Sequence, residues 1–421
     1  MFALINVRIY DFHNFIDNGY VIFDEKIVET GPMESFTDKG YELIDGTGHV
    51  AMPSLTIAHG HIYSAFARGM SIDAPMTNFK DILENLWWKL DEHLTADDVY
   101  MSGIVSAVGF AKNGVTTIID HHASGTITGS LEMLKKAVCS DVGIRGRFCF
   151  ETSDRFDINK CIDENLSSGD MFGLHASMTL SEETLEKVTT LCGRMPIHIH
   201  AAESWLDQEN CLSYYGERVV QRLKRHGLLR KNSILAHCIH INEEEAKLIA
   251  ENQCYVALNV RSNMNNAVGL PDYKMMKNNG VKCLIGNDGM SMGMMDEWTS
   301  LYLAMKYRYS TPGAFDMQEL LEIIKNNYDY INETAGVKIG RIEMGYDADL
   351  LSVEYEPPTP MTLDNAFGHV LFGMANNFTP EHVWCKGKRI VSHYQVSEEL
   401  DEKYKEAKVT AKDLWERMKG E

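Results

Sequence analysis

The stretch Met52-Pro53-Ser54-Leu55-Thr56-Ile57-Ala58-His59-Gly60-His61 reads as a short apolar strand ending in two histidines spaced i, i+2. Strand side chains alternate faces, so His59 and His61 point the same way, and paired imidazoles can clasp one divalent cation. An HxH pair alone is a common accident. Its meaning depends on whether the rest of the chain supplies further ligands and a general base.

Working outward, the pattern after this stretch repeats. Apolar strand candidates fall at Leu55–His61, Val115–Asp120, Ile144–Glu151, Phe172–Ala176, Pro196–Ala201, Ser233–His237, Tyr255–Val260 and Val281–Gly286. Amphipathic helical segments lie between them, among them Ala96–Lys112, Ser181–Leu191, Glu217–His226 and Glu243–Asn252. Near-continuously apolar strands alternating with helices are expected of a parallel sheet covered by helices. Eight repeats predict an α/β fold of the (β/α)8 TIM-barrel type, with its site at the C-terminal strand ends. A doubly wound open sheet is the alternative this alternation also allows.

The chain ends read differently. Phe2–Val7 and Tyr20–Phe23 read as strands, as do Gly345–Leu351 and His382–Val391. The simplest arrangement joins residues 1–52 and 345–395 into one small β-sandwich domain beside a barrel of residues 53–344. Residues 396–421 are expected to form a charged helical tail with a solvated face.

Composition narrows the function classes. The chain has 421 residues, 44% hydrophobic and 24% charged, as in an ordinary globular protein. A formal charge of −20 argues against a nucleic-acid binder or a partner of anionic membranes. The N-terminus lacks a basic segment followed by a long apolar run, and no stretch approaches the length of a membrane span. Nine scattered cysteines without a CxxC pair suit reduced thiols, so a cytoplasmic location is expected. No H-x-E…P-C-x-x-C signature of the cytidine-deaminase zinc site occurs.

Nine of the 16 histidines fall at or just past predicted strand ends: His59, His61, His121, His122, His175, His198, His200, His237 and His240. Any one of them alone is more simply a core histidine. Their accumulation at the end of the barrel where catalysis occurs points to a site. Asp288, in Gly286-Asn287-Asp288-Gly289, adds a carboxylate after the last strand. Neutral imidazoles together with a carboxylate suit Zn²⁺ or Fe²⁺. Spacing alone does not choose between His198 and His200. Trp87 and Trp88 read either as a pocket wall or as a buried helix face. Arg261, Ser262 and Asn263, just past strand seven, receive no chemical role.

These elements together resemble the amidohydrolase superfamily, in its mononuclear aminohydrolase and chlorohydrolase branch. The segments 263–269 (NMNNAVG), 120–124 (DHHAS), 357–360 (PPTP) and 368–373 (GHVLFG) are similar to the SsnA group of aminohydrolases, which is associated with purine catabolism. The resemblance implies His59, His61, His200 and Asp288 as metal ligands. A histidine followed three residues later by glutamate favours His200 over His198. Glu203 and His237 become the acid/base and polarising pair, acting with Asp288, and His122 and His175 become candidate substrate contacts. His175 stands where binuclear relatives carry a lysine, so one divalent ion is expected, Zn²⁺ before Fe²⁺.

The implied reaction is hydrolytic deamination of a small N-heterocycle such as a purine or pterin, by water activated on the metal. The same machinery could instead open a cyclic amide or expel chloride, and an inactive scaffold is a third reading. Family habit implies a homo-oligomer acting on a small molecule, with neither nucleic acid nor membrane as partner. The chain departs from the family pattern at Ser54 (usually Gly), Ile57 (usually Asp) and Asn287 (usually Thr). None of these removes a ligand.

Overall fold

The computed structural model describes residues 1–419, so the last two residues of the predicted tail lie outside it. Sixteen strands are formed by the described residues. The first five are β1 (Phe2–Tyr10), β2 (Phe15–Phe23), β3 (Ile27–Pro32), β4 (Glu42–Asp45) and β5 (His49–Pro53). The barrel strands are β6 (Leu55–Gly60), β7 (Val115–His122), β8 (Arg145–Phe150), β9 (Phe172–Ala176), β10 (Ile197–Ala201), β11 (Ile234–His237), β12 (Tyr255–Leu258) and β13 (Lys282–Ile285). The last three are β14 (Leu350–Glu354), β15 (Pro380–Cys385) and β16 (Lys388–Val391).

All eight predicted barrel strands form, and every pairing among them is parallel. β6, β7 and β8 pair in sequence order, as do β9 through β13. Two short seams close the ring. At the first, Thr152 just past β8 bridges Leu174 in β9, with Thr152 N donating to Gly173 O and His175 N to Thr152 O, each at 3.0 Å. At the second, Gly60 in β6 bridges Asp288 past β13. There Asn287 N and Asp288 N donate to His59 O at 3.0 and 3.1 Å, and His61 N donates to Asp288 O at 3.0 Å. Gly286 makes this approach possible: a Cβ there would lie 2.5 Å from His59 O.

The chain ends combine in one eight-stranded sheet of order β16-β15-β14-β5-β1-β2-β3, with β4 also on β1. The sheet folds over on itself, so that Phe23 in β2 meets Trp384 in β15 edge-on at 5.4 Å. The sequence reading needs three corrections here. Gly345–Asp349 is not strand, because Asp347 and Asp349 turn to hold the Arg145 guanidinium of β8 at 2.8 and 2.9 Å. His382–Val391 is not one strand but a hairpin, turned by Lys386 and Gly387, both at positive φ.

The third correction concerns the tail. The helix Glu398–Lys419 buries Leu400, Ala407 and Leu414, spaced on one face, against the helix Ala96–Lys112. Trp415 Nε1 donates to Phe66 O at 2.7 Å, and Arg417 pairs with the buried Asp98 carboxylate. The helix thus braces Ile62–Ala67, the turn directly after His59-Gly60-His61. None of the helices of the described residues is long and apolar enough to cross a membrane.

Candidate active site

The strand ends bring His59, His61, His200 and Asp288 into contact. His61 Nδ1 donates to His121 O at 2.7 Å, and His200 Nδ1 donates to His175 O at 3.0 Å. A backbone carbonyl only accepts, so each neutral ring carries its proton on Nδ1 and a lone pair on Nε2. The two Nε2 atoms face each other at 3.1 Å, and Asp288 Oδ1 lies 3.0 Å from that of His61. Asp288 Oδ1 is also 3.1 Å from His59 Nε2. Electron-rich atoms packed this closely require added protons or a cation between them. Neutral Nε2 atoms whose Nδ1–H groups are fixed by acceptors behind them, together with a carboxylate, are a donor set suited to a divalent metal.

His198 also points into the barrel, but one layer deeper, where its Nε2 meets His59 Nδ1 at 2.8 Å. Donation from His59 Nδ1 leaves the His59 Nε2 lone pair free for the cluster.

Glu203 and His237 flank this group on one side, with Glu203 Oε2 3.6 Å from His237 Nε2. His237 Nδ1 is held by Asn263 Oδ1 at 2.7 Å, and His237 Nε2 is buried without a hydrogen-bond partner among the described residues. Burial raises the Glu203 carboxyl above its ordinary range against the opposing pull of His237. Burial acts the same way on Asp288, but there His59 and His61 outweigh it and hold the carboxyl well below the usual range. Ser262 Oγ donates to Asp288 Oδ2 at 2.5 Å. Ala202, His237, Cys238 and Asp288 all adopt positive φ, so the chain turns sharply at three strand ends to present these groups. Asp207 fixes the first of those turns by accepting from Ala202 N and Met178 N, each at 2.9 Å.

A cleft opens from the cluster, lined by Phe79, Leu83, Trp87, Trp88 and Met178 together with the polar groups of the site. Both tryptophans therefore line the cleft. So does His175, whose Nδ1 bonds Thr179 Oγ1 at 2.7 Å. His122 is a correction. Alternation along β7 turns His121 into the barrel and His122 to the other side, where it is fully buried against Tyr63 and Phe150 with Nε2 on Ser124 Oγ.

Several site residues receive no role in the sequence reading: Ser262 and Asn263, noticed there only for their place past strand seven, Asn266 beside them, Asp91 beside the tryptophans, and Glu151 past β8. Glu151 is the most informative, since it is the last residue of the predicted strand Ile144–Glu151 and directly follows the observed β8. Burial pushes its carboxyl up, and it is held low only by His175 and His121 in their protonated forms together with the Arg155 guanidinium. Asp91, by contrast, is pushed up to about 7, mainly by burial.

A parallel (β/α)8 barrel with four His/Asp donors at the C-terminal strand ends, beside a buried acid and an imidazole, is the architecture of a metal-dependent hydrolase. Residues 50–390 match the model of the Amidohydrolase family, and the chain belongs to that family. A 5-methylthioadenosine/S-adenosylhomocysteine deaminase of Syntrophomonas wolfei is 29% identical over 357 residues, covering 80% of this chain and 81% of the relative. A 5'-deoxyadenosine deaminase of Methanobrevibacter smithii is 26% identical over 433 residues, covering 96% and 95%. Among solved structures, an adenosine deaminase from Xanthomonas campestris with bound zinc superposes with a TM-score of 0.83 at 20% identity, covering 100% of this chain and 99% of its own. The zinc-complexed atrazine chlorohydrolase TrzN from Arthrobacter aurescens gives 0.79 at 18% identity, covering 99% and 100%. At these identities the two structures bear on the fold alone.

Proposed function

We propose that this chain is a metal-dependent hydrolase that releases ammonia from a purine, pterin or related small N-heterocycle. The observation that carries the proposal is the facing pair of Nε2 lone pairs on His61 and His200 beside Asp288 Oδ1. His59, His61, His200 and Asp288 would hold one divalent ion, Zn²⁺ before Fe²⁺. When bound, such an ion acts as a Lewis acid and lowers the pKa of water towards about 7. The deaminase relatives and the aromatic wall of Trp87 and Trp88, suited to a planar ring, support the same reading.

The protein groups then have separate tasks. Asp288 accepts the proton of the attacking water. Glu203, whose carboxyl is raised above its ordinary range by burial, protonates the ring nitrogen beside the attacked carbon. It takes up the proton that the added hydroxyl loses as the carbonyl forms and passes it to the departing amino group, and the proton held by Asp288 returns Glu203 to its acid form. His237 donates its Nδ1 proton to Asn263, so a second proton on Nε2 makes it an imidazolium that faces the reacting ring and Glu203. In that form it stabilises negative charge developing on the attacked system.

The test is an ammonia assay across purines, pterins and related rings, repeated with Asp288→Asn and Glu203→Gln. Each substitution should lower kcat by about 10³-fold or more while the unfolding midpoint stays within a few degrees. Activity close to wild type in either variant would remove the role assigned to that residue. Chloride release or ring opening without ammonia would keep the site and change the leaving group.

A further inference from the structure

Besides Glu203, the cleft is lined by hydrogen-bond acceptors that lack donors. Glu151 is only 2% exposed, lines the cleft, and has an Oε1 without a hydrogen-bond partner among the described residues. Its neighbours do not donate to it. His121 commits Nε2–H to the carbonyls of Leu174 and His198 at 3.0 and 3.2 Å, which leaves a lone pair on Nδ1, 3.6 Å from Glu151 Oε2. Thr179 Oγ1 donates to Ala176 O and so accepts from His175 Nδ1, which leaves a lone pair on His175 Nε2, 3.9 Å from Glu151 Oε1. Arg155 approaches no closer than 3.8 Å and hydrogen-bonds to Asp91 instead.

With both imidazoles neutral, a buried carboxylate between their lone pairs, without a donor within 3.5 Å of Oε1, is costly unless a ligand supplies the missing N–H. Its position says which part of a ligand. Donor atoms of Glu151, His175 and His200 all lie within 4.8 Å of one another, and His200 belongs to the candidate metal cluster. Glu151 therefore meets the reacting ring itself and not a substituent further up the cleft.

We infer that Glu151 is a specificity-determining residue that accepts an N–H from the ring atom next to the attacked carbon. With Glu203 serving the ring nitrogen on the other side, the attacked carbon is flanked by one acceptor nitrogen and one N–H. That is a cyclic guanidine, as in guanine or pterin, where the amino-bearing carbon has both neighbours. Adenine and cytosine do not fit: the carbon bearing their amino group has a bare nitrogen on one side and a carbon on the other, so Glu151 would be left unpaired. A site built around a polar contact discriminates strongly against a ligand lacking the partner group.

This inference rests on the proposed deaminase reading but can fail separately. Binding is measured by calorimetry on the full chain loaded with Zn²⁺, in a Glu203→Gln background that prevents turnover, with guanine, pterin, adenine and cytosine as probes. Guanine and pterin should bind at least tenfold more tightly than adenine and cytosine. Adding Glu151→Gln should weaken guanine and pterin by about 10- to 100-fold and change adenine and cytosine less than threefold. If that variant unfolds, Glu151→Asp, which withdraws the carboxylate by one methylene, should show the same pattern. Tighter binding of adenine, equal losses for all four probes, or binding by none of them would overturn the inference. Ammonia release by the wild type from adenine alone would leave the deaminase reading standing and remove this one. Glu151-dependent binding without ammonia from any ring would do the reverse.

Discussion

At the residue scale, each group with a proposed chemical task is aimed by a neighbour that commits a hydrogen bond to it. Ser262 Oγ fixes Asp288 Oδ2, which turns Oδ1 towards the histidines, and Asn263 fixes Nδ1 of His237. Such partners of ligands and acids commonly govern 10- to 100-fold of metal affinity or activity. Ser262→Ala should therefore weaken Zn²⁺ binding by about tenfold, read by competition with a chromophoric chelator, with little change in unfolding midpoint. Asn263→Leu should lower kcat by about 10- to 100-fold while metal affinity stays within threefold. Unchanged affinity in the first variant or unchanged kcat in the second would make these residues packing only. His59, His61, His237 and Asp288 draw notice in the sequence because they fall at or just past the ends of apolar strands, whereas His200 is singled out from His198 only by the family resemblance. The roles of Ser262 and Asn263 could not be read there, because they sit on the helical turn Val260–Asn265, whose placement is set by contacts with other strands. His122 misleads for a simple reason: beside His121 in a strand, one of the two must face away.

At the element scale, the barrel strands were legible because both faces are covered and the runs are almost wholly apolar. The helix Glu398–Lys419 was not. Its core contacts come every seventh residue within a run of charges, so composition hides a docked face that only the partner helix reveals. Leu414 is fully buried in that face, whereas Val409 is 63% exposed. Leu414→Ala should cost about 2–5 kcal/mol, the range for removing a buried leucine side chain. Val409→Ala should stay within about 0.5 kcal/mol. Urea unfolding of the two variants distinguishes a structural helix from a solvated tail, and equal small effects would restore the latter. Because Trp415 and Arg417 reach the turn after His61 and the capped start of Ala96–Lys112, loosening this helix acts on the strand that carries two candidate ligands.

At the scale of the whole molecule, the eight-strand repeat announces a barrel, but the sequence does not show where the ring is weakest. The ladder is continuous through β6–β8 and through β9–β13, and only single bridges join the two segments. The candidate metal cluster spans that division: His59 and His61 come from the first segment, His200 from the second, and Asp288 from the seam between β13 and β6. A cation held there would cross-link the two parts of the ring and relieve the crowding of lone pairs at 3.0–3.1 Å. Because it binds only where the strands are assembled, it adds folding free energy, about 2.7 kcal/mol when the free ion is at 100 times its dissociation constant. Chelation of the purified protein, with metal content followed by elemental analysis, should lower the thermal unfolding midpoint by several degrees. One equivalent of Zn²⁺ should restore it. In Asp288→Asn the same treatment should produce a smaller shift, since the carboxylate that joins the seam to the cluster is gone. A midpoint that stays constant while the metal is stripped would mean that these four side chains do not hold an ion between the two halves of the barrel.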